Sequence, residues 1–126
     1  MNNVKILDAS AILAYFLWES GLEVIEAALD VGASQMTTVN YCEVLGKLVE
    51  KGMPADEAEE ALKELGITFV DFDIPLAQQA VLLQRRTRSI GASLGDRACL
   101  ALAMQFVQSE TTIPTVFTTD QSWSRV

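Results

Sequence analysis

Four acidic residues stand where the sequence pattern turns from strand to helix or loop. Asp8 closes the apolar run Val4-Lys5-Ile6-Leu7, and Glu43 falls in the first turn of a helix that follows the Thr- and Val-rich segment Gln35 to Val39. Asp96 falls in the first turn of a long helix, Ser93 to Val107, and Asp120 follows the strand-like Pro114 to Thr118. If these strands are parallel in one sheet, each strand's carboxyl end and the next helix's amino end share an edge, and the four carboxylates converge there. Such anions repel one another and raise one another's pKa unless a cation neutralises them. Carboxylate oxygens suit hard divalent ions such as Mg²⁺ or Mn²⁺. Ions so held bind a phosphodiester, activate water and stabilise a leaving oxyanion.

Each carboxylate also has an ordinary structural explanation. Asp8 can cap a helix, and Glu43 can pair with Lys47 one turn on. Ser93 with Asp96 resembles a capping box in which Asp replaces the usual Glu, and Asp120 suits a turn. The joint pattern carries the metal hypothesis, not any one residue.

The remaining chemistry is bounded by what is missing. The sequence has no histidine, which excludes His-dependent triads, His general bases and His-ligated zinc. Its two cysteines, Cys42 and Cys99, are too few for a zinc cluster and lie in apolar helical patterns, so both are expected as buried free thiols in a reducing compartment. A net charge of −8 argues against non-specific nucleic-acid binding by bulk electrostatics, although a metallated acidic site would itself attract phosphate. The 126 residues suit one domain, and 50% hydrophobic against 21% charged residues is globular composition. No signal peptide and no spanning apolar stretch is visible, so a cytoplasmic protein without membrane contact is expected.

The elements that must position the acids alternate. Strands are expected at Val4–Leu7, Gln35–Val39, Ile67–Phe72 and Pro114–Thr118. Helices are expected at Ala9–Trp18, Gly21–Asp30, Asn40–Lys51, Asp56–Leu65, Leu76–Arg86 and Ser93–Val107, with Gly52 and Gly66 as stops and Pro54 as a start. Cys42, Leu45, Leu48 and Val49 mark the core face of the Asn40 helix. Ala58, Ala61, Leu62 and Leu65 mark that of the next, and Leu94, Ala98, Ala101, Leu102 and Phe106 that of the long helix. The alternation predicts an α/β domain with helices covering a mainly parallel sheet.

The chain resembles the PIN-domain ribonucleases, specifically the VapC type of toxin nuclease. Four stretches carry the resemblance: Leu7-Asp8-Ala9-Ser10-Ala11, Val39-Asn40-Tyr41-Cys42-Glu43-Val44, Ser93 to Ala103 with Gly95-Asp96-Arg97-Ala98, and Phe117-Thr118-Thr119-Asp120-Gln121-Ser122-Trp123. They come in the family's order and nearly span the sequence. The resemblance implies a three-layer α/β/α sandwich and a Mg²⁺- or Mn²⁺-dependent endoribonuclease. Asp8, Glu43, Asp96 and Asp120 match the family's acidic quartet, with Asp8 and Asp96 as principal ligands and Glu43 and Asp120 holding waters or a second ion. Ser10, Asn40 and Thr118 fall where the family often carries small polar residues, and Arg97 is placed to contact RNA or pair with an acid. The resemblance also implies a homodimer and an antitoxin whose tail enters the acidic groove. Family members often continue past this point into a last strand, whereas this sequence ends almost at once at Arg125-Val126; without that strand, a more exposed edge at strand four is expected.

Other features have ordinary readings. Arg85, Arg86 and Arg88 suit a solvated helix end or a phosphate-contacting rim. Tyr15, Phe16 and Trp18 suit core or dimer packing more than base stacking. Val24 and Val31 fall off their helix's apolar stripe and suit an exposed contact surface. The alternatives are a PIN-fold ribonuclease that works without an antitoxin and a non-enzymatic, receiver-like signalling module. The second wants paired acids after the first strand and a late lysine, whereas Asp8 stands alone and no Lys follows Lys63. An Asp-x-Asp phosphatase built on Asp71 and Asp73 lacks the Thr that should follow.

Overall fold

Strand β1 (Asn2–Leu7) pairs with a strand on each side and sends buried apolar side chains to both faces of the sheet. Val4 and Ile6 enter one hydrophobic cluster and Leu7 enters another, as the two-residue period of a strand requires. A strand buried on both sides needs a helical layer on each, which is the three-layer α/β/α arrangement expected of the sequence. The structure, a computed structural model, describes residues 2–17, 33–88, 91–107 and 112–118.

In chain order the further elements are α1 (Ala9–Leu17), β2 (Ser34–Thr37), α2 (Thr38–Glu50), α3 (Ala55–Lys63), β3 (Thr68–Val70), α4 (Ile74–Arg86), α5 (Leu94–Val107) and β4 (Thr112–Phe117). The strands form one sheet in the order β3-β2-β1-β4, with every pairing parallel. Ile6 lies opposite Gln35 on one side and Val116 on the other, and Met36 lies opposite Phe69. The chain steps outward from β1 through β2 to β3, then returns to the far side of β1 as β4. Progress along the sheet therefore reverses at β1, and the crevice at its carboxyl end is the switch point where parallel α/β sheets bind ligands.

The helices divide between the faces. Ile12 of α1, Val44 and Leu48 of α2, and Ala58 and Leu62 of α3 cover one side together with Leu7, Met36 and Ile67. Leu76, Ala80 and Leu83 of α4, and Cys99, Ala101 and Leu102 of α5, cover the other with Val4 and Ile6. Each fully buried Leu or Ile contributes about 1.5–3 kcal/mol relative to its exposed state.

Start and stop chemistry places the boundaries. Thr37 accepts the Asn40 N–H and begins α2 two residues earlier than expected, so Val39 is helical and not the end of β2. Asp73 accepts the Leu76 N–H and caps α4, with Pro75 in its first turn. Gly52, after α2, and Gly66, after α3, take the positive φ values of 105° and 72° that glycine tolerates.

Three packing expectations are corrected. Cys42 is exposed, as is Val49, because α2 is rotated so that Asn40, Val44 and Leu48 face inward. The rotation is set by Asn40, whose side chain is consumed by buried hydrogen bonds. Leu94 is exposed at the start of α5, where the helix turns its first residue to solvent. Cys99 is buried, and both thiols are free. The helix expected at Gly21–Asp30, with Val24 and Val31, and also Trp18, lie outside the described residues. Among the described residues, no helix is long and apolar enough to cross a membrane.

Candidate active site

Asp8 follows β1 without a gap, so its carboxylate emerges at the centre of the switch-point edge. It is only 3% exposed. Its Oδ1 accepts hydrogen bonds from Ser10 Oγ at 2.7 Å and from the Ala11 N–H at 2.9 Å, which makes it the cap of α1. Thr118, just past β4, also bonds to the Asp8 carboxylate, and its Oγ1 lies 3.3 Å from Ser10 Oγ. The ordinary explanation of Asp8 is thus correct, but capping does not settle its electrostatics. Burial pushes its pKa up, the bonds from Thr118, Ser10 and Ala11 pull it back, and the Asp96 charge adds to the rise.

Asn40 positions Glu43. In the first turn of α2, Asn40 Oδ1 accepts the Thr37 hydroxyl proton at 2.6 Å, while Nδ2 donates to Glu43 Oε1 and to the Gly95 carbonyl, each at 3.0 Å. This buried side chain ties the end of β2, the start of α2 and the start of α5 together. The Glu43 carboxylate lies against the Cα of Gly95. Glu43 is exposed as a residue, but partial desolvation of its carboxylate raises its pKa, opposed by the Asn40 bond and reinforced by the charges of Asp96 and Asp8.

Asp96 is the return half of a capping box. Its Oδ2 accepts the Ser93 N–H at 3.0 Å, and Ser93 Oγ accepts the Asp96 N–H at 3.2 Å. The box anchors the first turn of α5, whose positive dipole end faces the same edge. Asp8, Ser10, Asn40, Glu43 and Asp96 line one hollow of about 240 Å³, together with Leu13 and Lys47. Below it, the buried Cys99 thiol is driven well up in pKa by burial and by the charges of Asp8, Asp96 and Glu43.

The fourth acid expected here, Asp120, lies outside the described residues. Among the described residues, no three acidic or cysteine side chains stand close enough to grip a metal ion between them. What the hollow does offer is oxygen donors only, with two carboxylates whose negative charge is incompletely offset. That donor chemistry fits Mg²⁺ or Mn²⁺.

The other expected residues divide. Ser10, Asn40 and Thr118 join the acids. Arg97 is half-buried and does not line the hollow; its Nε is buried without a hydrogen-bond partner. Arg85, Arg86 and Arg88 are exposed at the end of α4. Tyr15 and Phe16 meet edge to face, with centroids 5.3 Å apart, and pack on the core. Asp71 and Asp73 are exposed, and Asp73 is occupied in capping α4, which leaves no Asp-x-Asp site there. The ordinary reading of Glu43 pairs it with Lys47, and the structure does not show that pair among the described residues. Lys47 bonds instead to Glu50 at 3.4 Å and borders the acidic hollow. Its position one turn past Glu43 was the available signal for that placement.

The model of the PIN domain family matches residues 5–126 of the chain. No curated protein sequence matches it. Among solved structures, a toxin-antitoxin complex from Klebsiella pneumoniae contains a chain with the same fold. It is 14% identical, with a TM-score of 0.70 over 98% of this chain and 92% of that one.

Proposed function

The chain belongs to the PIN domain family, and from that premise we propose that its acidic hollow is the active centre of a divalent-metal-dependent endoribonuclease. PIN domains are generally nucleases, and they generally use divalent metal ions. One observation carries the finer reading: Asp8, Glu43 and Asp96, from three separate elements, share one hollow at the switch point, and burial and mutual repulsion raise the pKa of Asp8 and Glu43. Asp8 and Asp96 would hold a Mg²⁺ or Mn²⁺ ion, with Glu43 and Asp120 beside them. Such an ion would supply charge neutralisation at the scissile phosphate and make a nearby water more acidic.

The protein's own residues do the positioning. Ser10, Thr118 and the Ala11 N–H fix the Asp8 carboxylate, so it enters the reaction already oriented. Asn40 fixes Glu43 in the same way. Ser93 holds one oxygen of Asp96 from behind.

The proposal extends to partners. The Klebsiella chain of this fold comes from a toxin-antitoxin complex, which supports an antitoxin partner for this chain and a role as the toxin. A homodimer is proposed with it, in a cytoplasmic setting, and size-exclusion chromatography with light scattering tests the dimer. The nuclease itself is tested by offering the purified protein structured and unstructured RNAs, with Mg²⁺ or Mn²⁺ against EDTA, beside Asp96→Asn. Cleavage that needs both the ion and Asp96 is the expected result. Metal-independent cleavage, or full activity in Asp96→Asn, would overturn the proposal.

A further inference from the structure

Gly95 has no backbone reason to be glycine. It lies in the first turn of α5 and is not among the positive-φ glycines, so alanine fits its backbone and is the better helix former. Space is what distinguishes it. A Cβ added at Gly46, Gly52, Gly66 or Gly91 would meet nothing within 4 Å. A Cβ at position 95 would come within 2.6 Å of Glu43 Oε2 and closer still to Oε1. The Glu43 carboxylate thus occupies the room that a side chain at 95 would fill. A second contact holds it there, since the buried Asn40 Nδ2 donates both to Glu43 Oε1 and to the carbonyl of Gly95 itself.

We infer that Gly95 is a positioning residue: its missing side chain is the seat of the Glu43 carboxylate, and keeps that carboxylate in the hollow with Asp8 and Asp96. This rests on the nuclease reading of the hollow and deepens it. Glu43 is the free end of a flexible chain. A methyl group at 95 is therefore accommodated by swinging the carboxylate away, not by opening the fold. The helix gains a better former, the Asn40–Glu43 bond is lost, and the hollow loses one of its three described anions.

The test uses the full chain, Mn²⁺ alone as the probe, and variants Gly95→Ala, Glu43→Ala and the pair combined. Calorimetry should show Gly95→Ala binding Mn²⁺ about tenfold more weakly, the scale of losing an orienting contact at a metal site. The double variant should bind no more weakly than Glu43→Ala, because once the carboxylate is gone the methyl group has nothing to displace. The Tm of Gly95→Ala should equal or exceed that of the wild type, which separates displacement from damage. The Asn40 side-chain amide resonances should move in Gly95→Ala as they do in Glu43→Ala. Wild-type Mn²⁺ affinity in Gly95→Ala, additive losses in the double variant, or unmoved Asn40 resonances would each overturn the inference. If the wild type binds no Mn²⁺, the nuclease reading fails, and the Asn40 resonances alone decide whether Gly95 seats Glu43.

Discussion

Two acidic hollows flank the first turns of α2, and they are built differently. The smaller, about 240 Å³, is lined from α2 by Asn40, Glu43 and Lys47 and closed by Asp8 and Asp96. The larger, about 580 Å³, is lined from α2 by Thr38 and Tyr41 and bordered by Asp56, Glu59, Glu60 and Lys63. Its apolar floor is the edge-to-face pair Tyr41 and Phe69, with centroids 4.9 Å apart. Both are rich in carboxylates. In the larger hollow all three acids are exposed and sit on one surface helix, α3, where water solvates them. In the smaller, the acids come from three elements, one is nearly inaccessible, and protein donors replace water around it. Counting acids does not identify a site; what matters is whether the fold forces charge into a place where water cannot relieve it.

The largest contrast expected is in activity. Asp8→Asn should reduce RNA cleavage to the level seen in EDTA. Neutralising Asp56, Glu59 and Glu60 together should leave cleavage at the wild-type rate. Equal losses from both sets would erase the distinction between the hollows.

Stability gives the next contrast. Asn40→Ala leaves the Thr37 hydroxyl proton without its acceptor and removes the side-chain donor to the Gly95 carbonyl, and should cost about 1–3 kcal/mol by denaturant titration. Glu59→Gln, on the exposed rim, should stay within about 0.5 kcal/mol of wild type.

The acidity of Asp8 gives a third. Its pKa is raised in the folded state, so the folded protein holds that proton more tightly than the unfolded chain does. Stability from this group is complete below the ordinary carboxylate range and is lost as pH rises through the raised value. Asp8→Asn keeps the α1 cap and removes the buried charge. In metal-free buffer it should therefore melt higher than wild type at neutral pH, with the gap closing as the pH falls below the carboxylate range. A gap that persists unchanged at acid pH would show that charge burial is not its origin.

The smallest effect belongs to Lys47 and Glu50, whose side chains are 59% and 69% exposed. Breaking this pair with Glu50→Gln should change stability by less than about 0.5 kcal/mol.

The edge carrying the site was legible because parallel α/β topology converts alternation into geometry. Once Leu7-Asp8 reads as a strand end and Ser93 to Asp96 as a helix start, their convergence follows. The ordinary explanations were legible too, and for Asp8 and Asp96 the capping contacts are present. Less accessible was the rotation of α2. Apolar spacing put Cys42 and Val49 inward, but Asn40, a polar residue, fixes the face by satisfying its side-chain oxygen and both amide hydrogens in the interior. Hydropathy gives such a residue no weight. The seat at Gly95 was hidden for the same reason, since a glycine in a helix start announces neither a contact nor its partner. Spacing offers Lys47 to Glu43 as an ordinary partner, but it offers Glu50 as well, and Glu50 is the one it meets.

A divalent cation is expected to enter the hollow of Asp8, Glu43 and Asp96 and not its larger neighbour. Titrating Mn²⁺ into isotope-labelled protein and following paramagnetic loss of backbone amide signals tests both hollows in one experiment. Amides of Ala9, Ser10, Asn40, Glu43 and Asp96 should disappear at the lowest Mn²⁺ concentrations, while those of Asp56 to Glu60 persist. Earlier loss at Asp56 to Glu60, or equal loss in both hollows, would show that the cation does not prefer the hollow of Asp8, Glu43 and Asp96.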